Sequence, residues 1–63
     1  MKLVANNNRI IKDGSFVKDK EGDRCWIYDI DPIRLTFEYE VQSTGMSYKC
    51  HGYNNSLNLK WKK

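Results

Sequence analysis

Residues 33–42 read IRLTFEYEVQ, and the alternation in this stretch decides the fold class of the chain. Apolar and polar residues exchange places at every step, which puts one set of side chains on each face of an extended segment. A period of two is typical of a strand with one buried and one solvated face. We therefore predict a strand from Ile33 to Gln42. The side chains expected on its buried face are Ile33, Leu35, Phe37, Tyr39 and Val41.

Shorter stretches on both sides of this strand show related patterns. Residues 57–62 and 46–53 alternate in the same way, with Met46, Tyr48 and Cys50 expected to point inward in the second of them. Residues 23–30 are apolar on both faces, which indicates a strand that is covered on both sides or that offers one side to a partner. The strands predicted from these patterns are residues 9–12, 15–18, 23–30, 33–42, 46–53 and 57–62.

Turn signals separate these stretches at intervals of about 8–12 residues, a spacing typical of a meander, sandwich or barrel. Asp-Gly favours a hairpin turn because both central residues of a type I′ turn need positive φ. Pro32 presets φ for a reversal, and Gly52 suggests a bulge near the end of its strand. The signals are Asp13-Gly14, Lys20-Glu21-Gly22, Asp31-Pro32, Ser43-Thr44-Gly45 and Asn54-Asn55-Ser56.

These features together predict an all-β fold. No segment has a helical period, and a sheet in so short a chain must roll up to bury one face and limit its edges. We predict that residues 1–63 form one small, partly open antiparallel barrel with five or six strands. An SH3-like barrel is the preferred interpretation, and an OB-like barrel is the alternative.

The size of the chain and its reactive residues argue against catalysis. A core built from 63 residues supplies only about 3–5 kcal/mol of net stability, which leaves little room for a deep cleft. The chain has one histidine, His51, and no nucleophile motif beside it. A zinc site from Cys25, Cys50 and His51 would have three ligands at most, with Cys50 and His51 on opposite sides of one strand. We expect no enzymatic activity, no cofactor and no metal.

The apolar run at the N-terminus, Leu3 to Ala5, is too short for a signal peptide or a membrane span. We therefore expect a cytoplasmic protein with reduced thiols and no membrane association. The short reading frame is consistent with a phage or prophage origin. The expected oligomeric state is a monomer or a weak homodimer.

Charge is distributed unevenly along the sequence, although the formal net charge is only +3. All eight carboxylates lie between Asp13 and Glu40, while the segments before and after them contain basic residues and no acids. If the two ends of the chain lie together, as in many small barrels, they would form one positive surface, with an acidic surface elsewhere.

The first functional hypothesis is a protein-binding module, such as an accessory or inhibitor of a larger host protein. A stripe of carboxylates can mimic phosphates and steer a basic partner, and exposed aromatic rings can anchor it. An edge strand could also pair with another chain. The candidate protein-binding residues are Trp26, Tyr28, Asp29, Asp31, Glu38 and Glu40.

The alternative hypothesis is a nucleic-acid-binding barrel with little sequence specificity. Lysines of the terminal segments would contact phosphates, and Tyr53 would stack on a base. The candidate residues for this function are Arg9, Lys12, Lys49, His51, Tyr53, Lys60 and Lys62. We slightly prefer a protein as the partner, because no chemical motif marks the chain as an autonomous nucleic-acid binder.

Overall fold

A computed structural model describes residues 1–51 and 56–63. Within these ranges the chain forms six strands and no helix: β1 (Lys2–Val4), β2 (Phe16–Lys18), β3 (Arg24–Asp31), β4 (Thr36–Val41), β5 (Ser47–His51) and β6 (Lys60–Lys62). Strands β2 to β5 form an antiparallel meander in chain order, and β1 pairs with β6 in a separate ribbon. The prediction of a small, partly open, all-β antiparallel barrel is confirmed.

The described part of the chain contains no helix with the length and apolar character needed to cross a bilayer.

Strands β2–β5 are called the meander below, and the β1–β6 pair is called the terminal ribbon.

The hydrophobic core lies between the terminal ribbon and one face of the meander. This inner face of the meander carries Cys25, Ile27 and Phe37, each with an exposed fraction of 0%. Leu3 and Trp61, which are cross-strand partners in the terminal ribbon, belong to the same buried cluster. Burying a side chain of this size stabilises the fold by about 1.5–3 kcal/mol. The other buried members of the cluster are Ile11, Leu57 and Leu59.

The terminal ribbon brings the two ends of the chain side by side. Lys2 lies opposite Lys62, and Val4 lies opposite Lys60. The sequence patterns did not predict β1, because three residues are too few to establish an alternation. Strand β6 is shorter than the predicted strand 57–62, since Asn58 adopts φ 57° and interrupts the extended backbone. The predicted inward direction of Leu57, Leu59 and Trp61 is correct, because all three are buried.

The predicted strand over residues 9–12 is wrong. Its only ladder contact is an isolated bridge between Ile10 and Val4, so it does not form a hairpin with β2. The Asp13-Gly14 turn is present, with φ 89° at Gly14. The backbone of Gly14 and Ser15, however, forms hydrogen bonds with Ile27 of β3 and not with residues 9–12. The carbonyl of Ile27 accepts a hydrogen bond from Gly14 N at 2.7 Å, and Ile27 N donates to the carbonyl of Ser15 at 2.8 Å. The longer strand β3 therefore becomes the partner of β2.

The predicted strand over residues 33–42 is correct only from Thr36 to Val41. Oδ1 of Asp31 accepts hydrogen bonds from the backbone N–H groups of Ile33 and Arg34, at 3.0 and 3.1 Å, which closes a turn. Leu35 has φ 58°, so the chain reverses before β4 begins. Ile33 is consequently 90% exposed and is not a core residue.

Met46 and Tyr48 are not core residues, although Tyr48 lies opposite Tyr39 on the inner face of the meander, as predicted. Their exposed fractions are 55% and 44%, and β5 begins only at Ser47. Both side chains line a surface hollow at the end of the meander instead of entering the core. Cys50 is half-buried against the core cluster, as expected. The bulge predicted at Gly52 and the turn at 54–55 lie outside the described residues.

A matched pair of substitutions tests this placement of the core. Ile27→Val should lower the free energy of unfolding by about 1 kcal/mol, because it removes a methylene from a fully buried site. The same change at Ile33 should leave it within about 0.5 kcal/mol of the parent, since that side chain is in solvent. Urea denaturation of both variants measures the difference. Equal losses at the two positions would contradict the turn at residues 31–35.

Candidate functional site

The outer face of the meander combines aromatic rings with carboxylates. In the β3–β4 ladder Trp26 lies opposite Glu40, and Tyr28 lies opposite Glu38. Side chains of directly opposed residues share a face of the sheet, and here it is the face opposite Ile27 and the core. Four of the six candidate protein-binding residues are therefore neighbours on one surface.

Phe16 extends this row of aromatic rings, although it is not among the binding residues predicted from the sequence. It lies opposite Trp26 in the β2–β3 ladder, with ring centroids 6.4 Å apart, and the Trp26 and Tyr28 rings are 6.0 Å apart. The exposed fractions of Phe16 and Trp26 are 45% and 41%. The guanidinium carbon of Arg24 lies 5.7 Å from the centre of the Phe16 ring. Alternation around the inward-facing Val17 was the signal that could have identified Phe16 as an exposed ring.

The other two candidate carboxylates, Asp29 and Asp31, lie where β3 bends. The ladder shifts register between Tyr28 and Asp31, and Asp29 adopts φ 51°. Both carboxylates line a surface depression of about 380 Å³ together with Glu38 and Lys49. The bulge thus brings Asp29 and Asp31 into one depression with Glu38 of β4, although Asp29 itself has no ladder partner and Asp31 pairs with Thr36.

The carboxylates of this depression influence one another. A hydrogen bond with the side chain of Asp29 raises the pKa of Glu38, with smaller effects from partial burial and from the Asp29 charge. The ammonium group of Lys49 acts in the opposite direction on the same carboxyl. Asp31 differs, because backbone hydrogen bonds from Arg34 and Ile33 lower its pKa. Asp31 is therefore a charged turn residue. Glu38 is a carboxyl on which the effect of Asp29 exceeds the opposite effect of Lys49.

The residues proposed for nucleic-acid binding fall into two groups. Lys60 and Lys62 lie on the terminal ribbon, where Nζ of Lys62 donates to Oδ1 of Asn8 at 3.3 Å. Lys49 and His51 lie on β5 in the other sheet, and Lys49 faces Glu38. Lys49 therefore lies among the carboxylates of the depression near Glu38 and not on the terminal ribbon.

Two further members of that set lie near the start of the meander, and one lies outside the described residues. Nη2 of Arg9 donates to the carbonyl of Phe16 at 3.0 Å, and Lys12 is exposed at the turn before β2. Tyr53, the ring expected to stack on a base, falls within residues 52–55, which the structure does not describe.

The two cysteines are free thiols. Burial raises the pKa of Cys25, and the nearby charges of Asp19 and Asp23 raise it further. Burial also raises the pKa of Cys50. Both side chains are therefore protonated at neutral pH, a form that is a poor nucleophile and a poor metal ligand. Among the described residues, the group of carboxylates close enough to share an ion is Asp19, Glu21 and Asp23.

Comparison with protein-family models, with curated proteins and with solved structures found no match to this chain.

The charges around Glu38 can be tested separately, because Asp29 and Lys49 act on it with opposite signs. Asp29→Asn should lower the pKa of Glu38, since it replaces a neighbouring carboxylate with a neutral amide. Lys49→Gln should raise it, since the attraction of the ammonium group is lost. Titration of the Glu38 side-chain carboxyl carbon by NMR measures both shifts, and Asn is compatible with the positive φ at residue 29. Shifts in the same direction would contradict this arrangement.

Proposed function

We propose that this chain is a small, non-enzymatic protein-binding module whose partner presents a basic segment to the outer face of the meander. We call this surface the acidic-aromatic face, and it consists of Phe16, Trp26, Tyr28, Glu38 and Glu40. The observation that supports the proposal is the pairing of an exposed or half-buried ring with a carboxylate in two successive rows of the sheet.

Such a pairing suits an arginine or lysine side chain. A guanidinium or ammonium group is attracted by the face of a tryptophan or tyrosine ring within about 6 Å of its centre. A carboxylate beside the ring accepts charge-assisted hydrogen bonds from the same group. Within the chain itself, the guanidinium of Arg24 already makes the ring contact, over Phe16, whose partner across the ladder is Trp26 and not a carboxylate. Two further positions, at Trp26–Glu40 and Tyr28–Glu38, are available to a partner.

The electrostatic state of Glu38 supports a cationic partner. A hydrogen bond with the Asp29 side chain is the largest cause of its raised pKa, partial burial and the Asp29 charge add to it, and Lys49 acts in the opposite direction. A cation from another molecule would favour the ionised form of this carboxyl in the same way as Lys49 does.

The position of β5 gives the partner a second means of attachment. This strand is at the edge of the meander, next to β4 with its carboxylates. An extended partner segment can add hydrogen bonds to such an edge while its side chains reach the adjacent surface. A cytoplasmic accessory or inhibitor of a larger host protein, of phage or prophage origin, is the biological role that we assign to a module of this kind.

A titration with octa-arginine tests the proposal. The indole N–H signal of Trp26 should shift as the peptide is added, whereas that of Trp61 should not, because Trp61 is only 3% exposed. Octaglutamate, the acidic counterpart, should shift neither signal through this face. Two-dimensional ¹H–¹⁵N NMR resolves the two indoles in one sample. An unchanged Trp26 signal with octa-arginine would contradict the proposal.

Two substitutions that raise the net charge by the same amount separate this face from general attraction. Glu40→Gln should weaken the binding of octa-arginine about fivefold, the effect expected when an exposed ion pair is lost. Asn6→Lys makes the same change of charge in the exposed loop after β1 and should weaken it less. Equal weakening by the two variants would show that the peptide responds to net charge and not to this surface.

A second candidate function, binding of nucleic acid, is supported by one observation on the terminal ribbon. Lys2 and Lys62 are directly opposed in the ladder, and like charges in that position destabilise a sheet. Phosphates bound along the ribbon would neutralise this pair together with Lys60. The ribbon contains three lysines, fewer than the seven residues considered from the sequence.

Fluorescence anisotropy with a labelled oligothymidine tests this second candidate. Three phosphate contacts predict a loss of affinity of roughly 20-fold between about 50 and 200 mM salt. Lys60→Glu combined with Lys62→Glu should abolish binding, whereas Lys18→Glu combined with Lys20→Glu should reduce it only slightly. Absence of binding at the lower salt concentration would remove nucleic acid as a direct ligand of the ribbon.

A further inference from the structure

A second concave surface lies at one end of the meander, on the side of the sheet that carries the core. In an antiparallel meander the β2–β3 and β4–β5 turns come to the same end of the sheet. Residues of both turns line a hollow of about 370 Å³, and the side chains of Tyr39 and Tyr48 contribute to it from the adjoining strands. A hollow of this volume is within the range of small-molecule sites.

One wall of the hollow is aromatic and apolar. Tyr39 and Tyr48 are cross-strand partners whose ring centroids are 5.3 Å apart at an interplanar angle of 29°. The hydroxyl of Tyr48 donates to Sδ of Met46 at 3.7 Å, which holds the thioether beside the rings. Tyr48 and Met46 are 44% and 55% exposed, so this wall is open to solvent in a chain with a small core.

The other wall is acidic and is held by the backbone of the β2–β3 turn. Oδ1 of Asp19 accepts hydrogen bonds from Glu21 N and Asp23 N, both at 2.9 Å. Carboxylate oxygens of these three residues lie within 4.8 Å of one another, at distances where like charges repel. Lys20 also lines the hollow, so a single ammonium group stands against three carboxylates.

We propose that this hollow binds an organic ammonium ion, with its cationic head between the tyrosine rings and the carboxylates. The acidic wall alone would suit an inorganic cation, but the rings and thioether offer such an ion no strong oxygen ligand. An organic cation uses both walls, since its charge meets the carboxylates while its methyl groups pack on the rings. The site is separate from the acidic-aromatic face, and the inference does not depend on the proposed function.

Choline and 3,3-dimethylbutan-1-ol form a matched pair of probes, because they have the same shape and differ in charge. Choline should shift the ring signals of Tyr39 and Tyr48 in ¹H–¹³C NMR and saturate on titration. The neutral alcohol should bind about tenfold more weakly, because it loses the attraction of the rings and carboxylates. Equal affinities, or no shift with choline, would overturn the proposal.

Variants locate the binding and distinguish it from ion capture by the acidic turn. Tyr48→Leu and Asp23→Asn should each weaken choline binding severalfold, whereas Asp13→Asn, which makes the same change of charge in the turn before β2, should not change it. The shift of the Met46 methyl signal reports binding in every variant.

Calcium should not prevent choline from shifting the ring signals of Tyr39. Shifts with calcium that are confined to residues 19–23, without any response to choline, would show a site for inorganic ions and would overturn the proposal.

Discussion

The contact of the terminal ribbon with the inner face of the meander is the constraint on which the structure depends. Ile27 and Phe37 lose all contact with solvent because Leu3 and Trp61 cover them from the other sheet. In a chain of 63 residues this single cluster must supply most of the hydrophobic stabilisation. The pairing of β1 with β6 is therefore both a ladder of hydrogen bonds and the closure of the core.

The same pairing separates the charges of the molecule. It gathers lysines from the two acid-free ends of the sequence on the ribbon, with Lys2 opposite Lys62. The carboxylates remain on the meander, in its turns and in the turn before β2, and Glu38 and Glu40 face outward between aromatic and polar neighbours. A net charge of +3 therefore describes neither surface well. Proteins that carry both signs on distinct faces can attract partners of opposite charge at each of them.

Sequence periodicity was sufficient for the fold class and for much of the core, but not for the ends of the strands. Alternation identified Phe37, Tyr39 and Val41 correctly, because the hydrophobic effect acts on every second residue of a half-buried strand. It failed at Ile33, where a side-chain turn around Asp31 removes the residue from the sheet. Local hydrogen bonds of this kind compete with the ladder and leave no trace in the apolar pattern. Strand β1 was missed for a related reason, since tertiary pairing alone makes it a strand.

The candidate site could also be predicted only in part. The pattern of one strand indicates which of its side chains share a face, whereas the neighbours of those side chains depend on how the strands pair. Apolar residues on both faces of residues 23–30 indicated that Trp26 and Tyr28 could face a partner, and β3 does present them on the outer face. The opposition of each ring to a carboxylate depends on the register between β3 and β4, which no single strand encodes. A shift of one residue would have placed Trp26 on the core side. The aromatic contacts across β2 and β3 contribute about 0.2–1 kcal/mol to the sheet. Complete burial of Phe16 or Trp26 would contribute more, and the fold leaves 45% and 41% of these residues exposed, so that a partner can gain energy by covering the remainder.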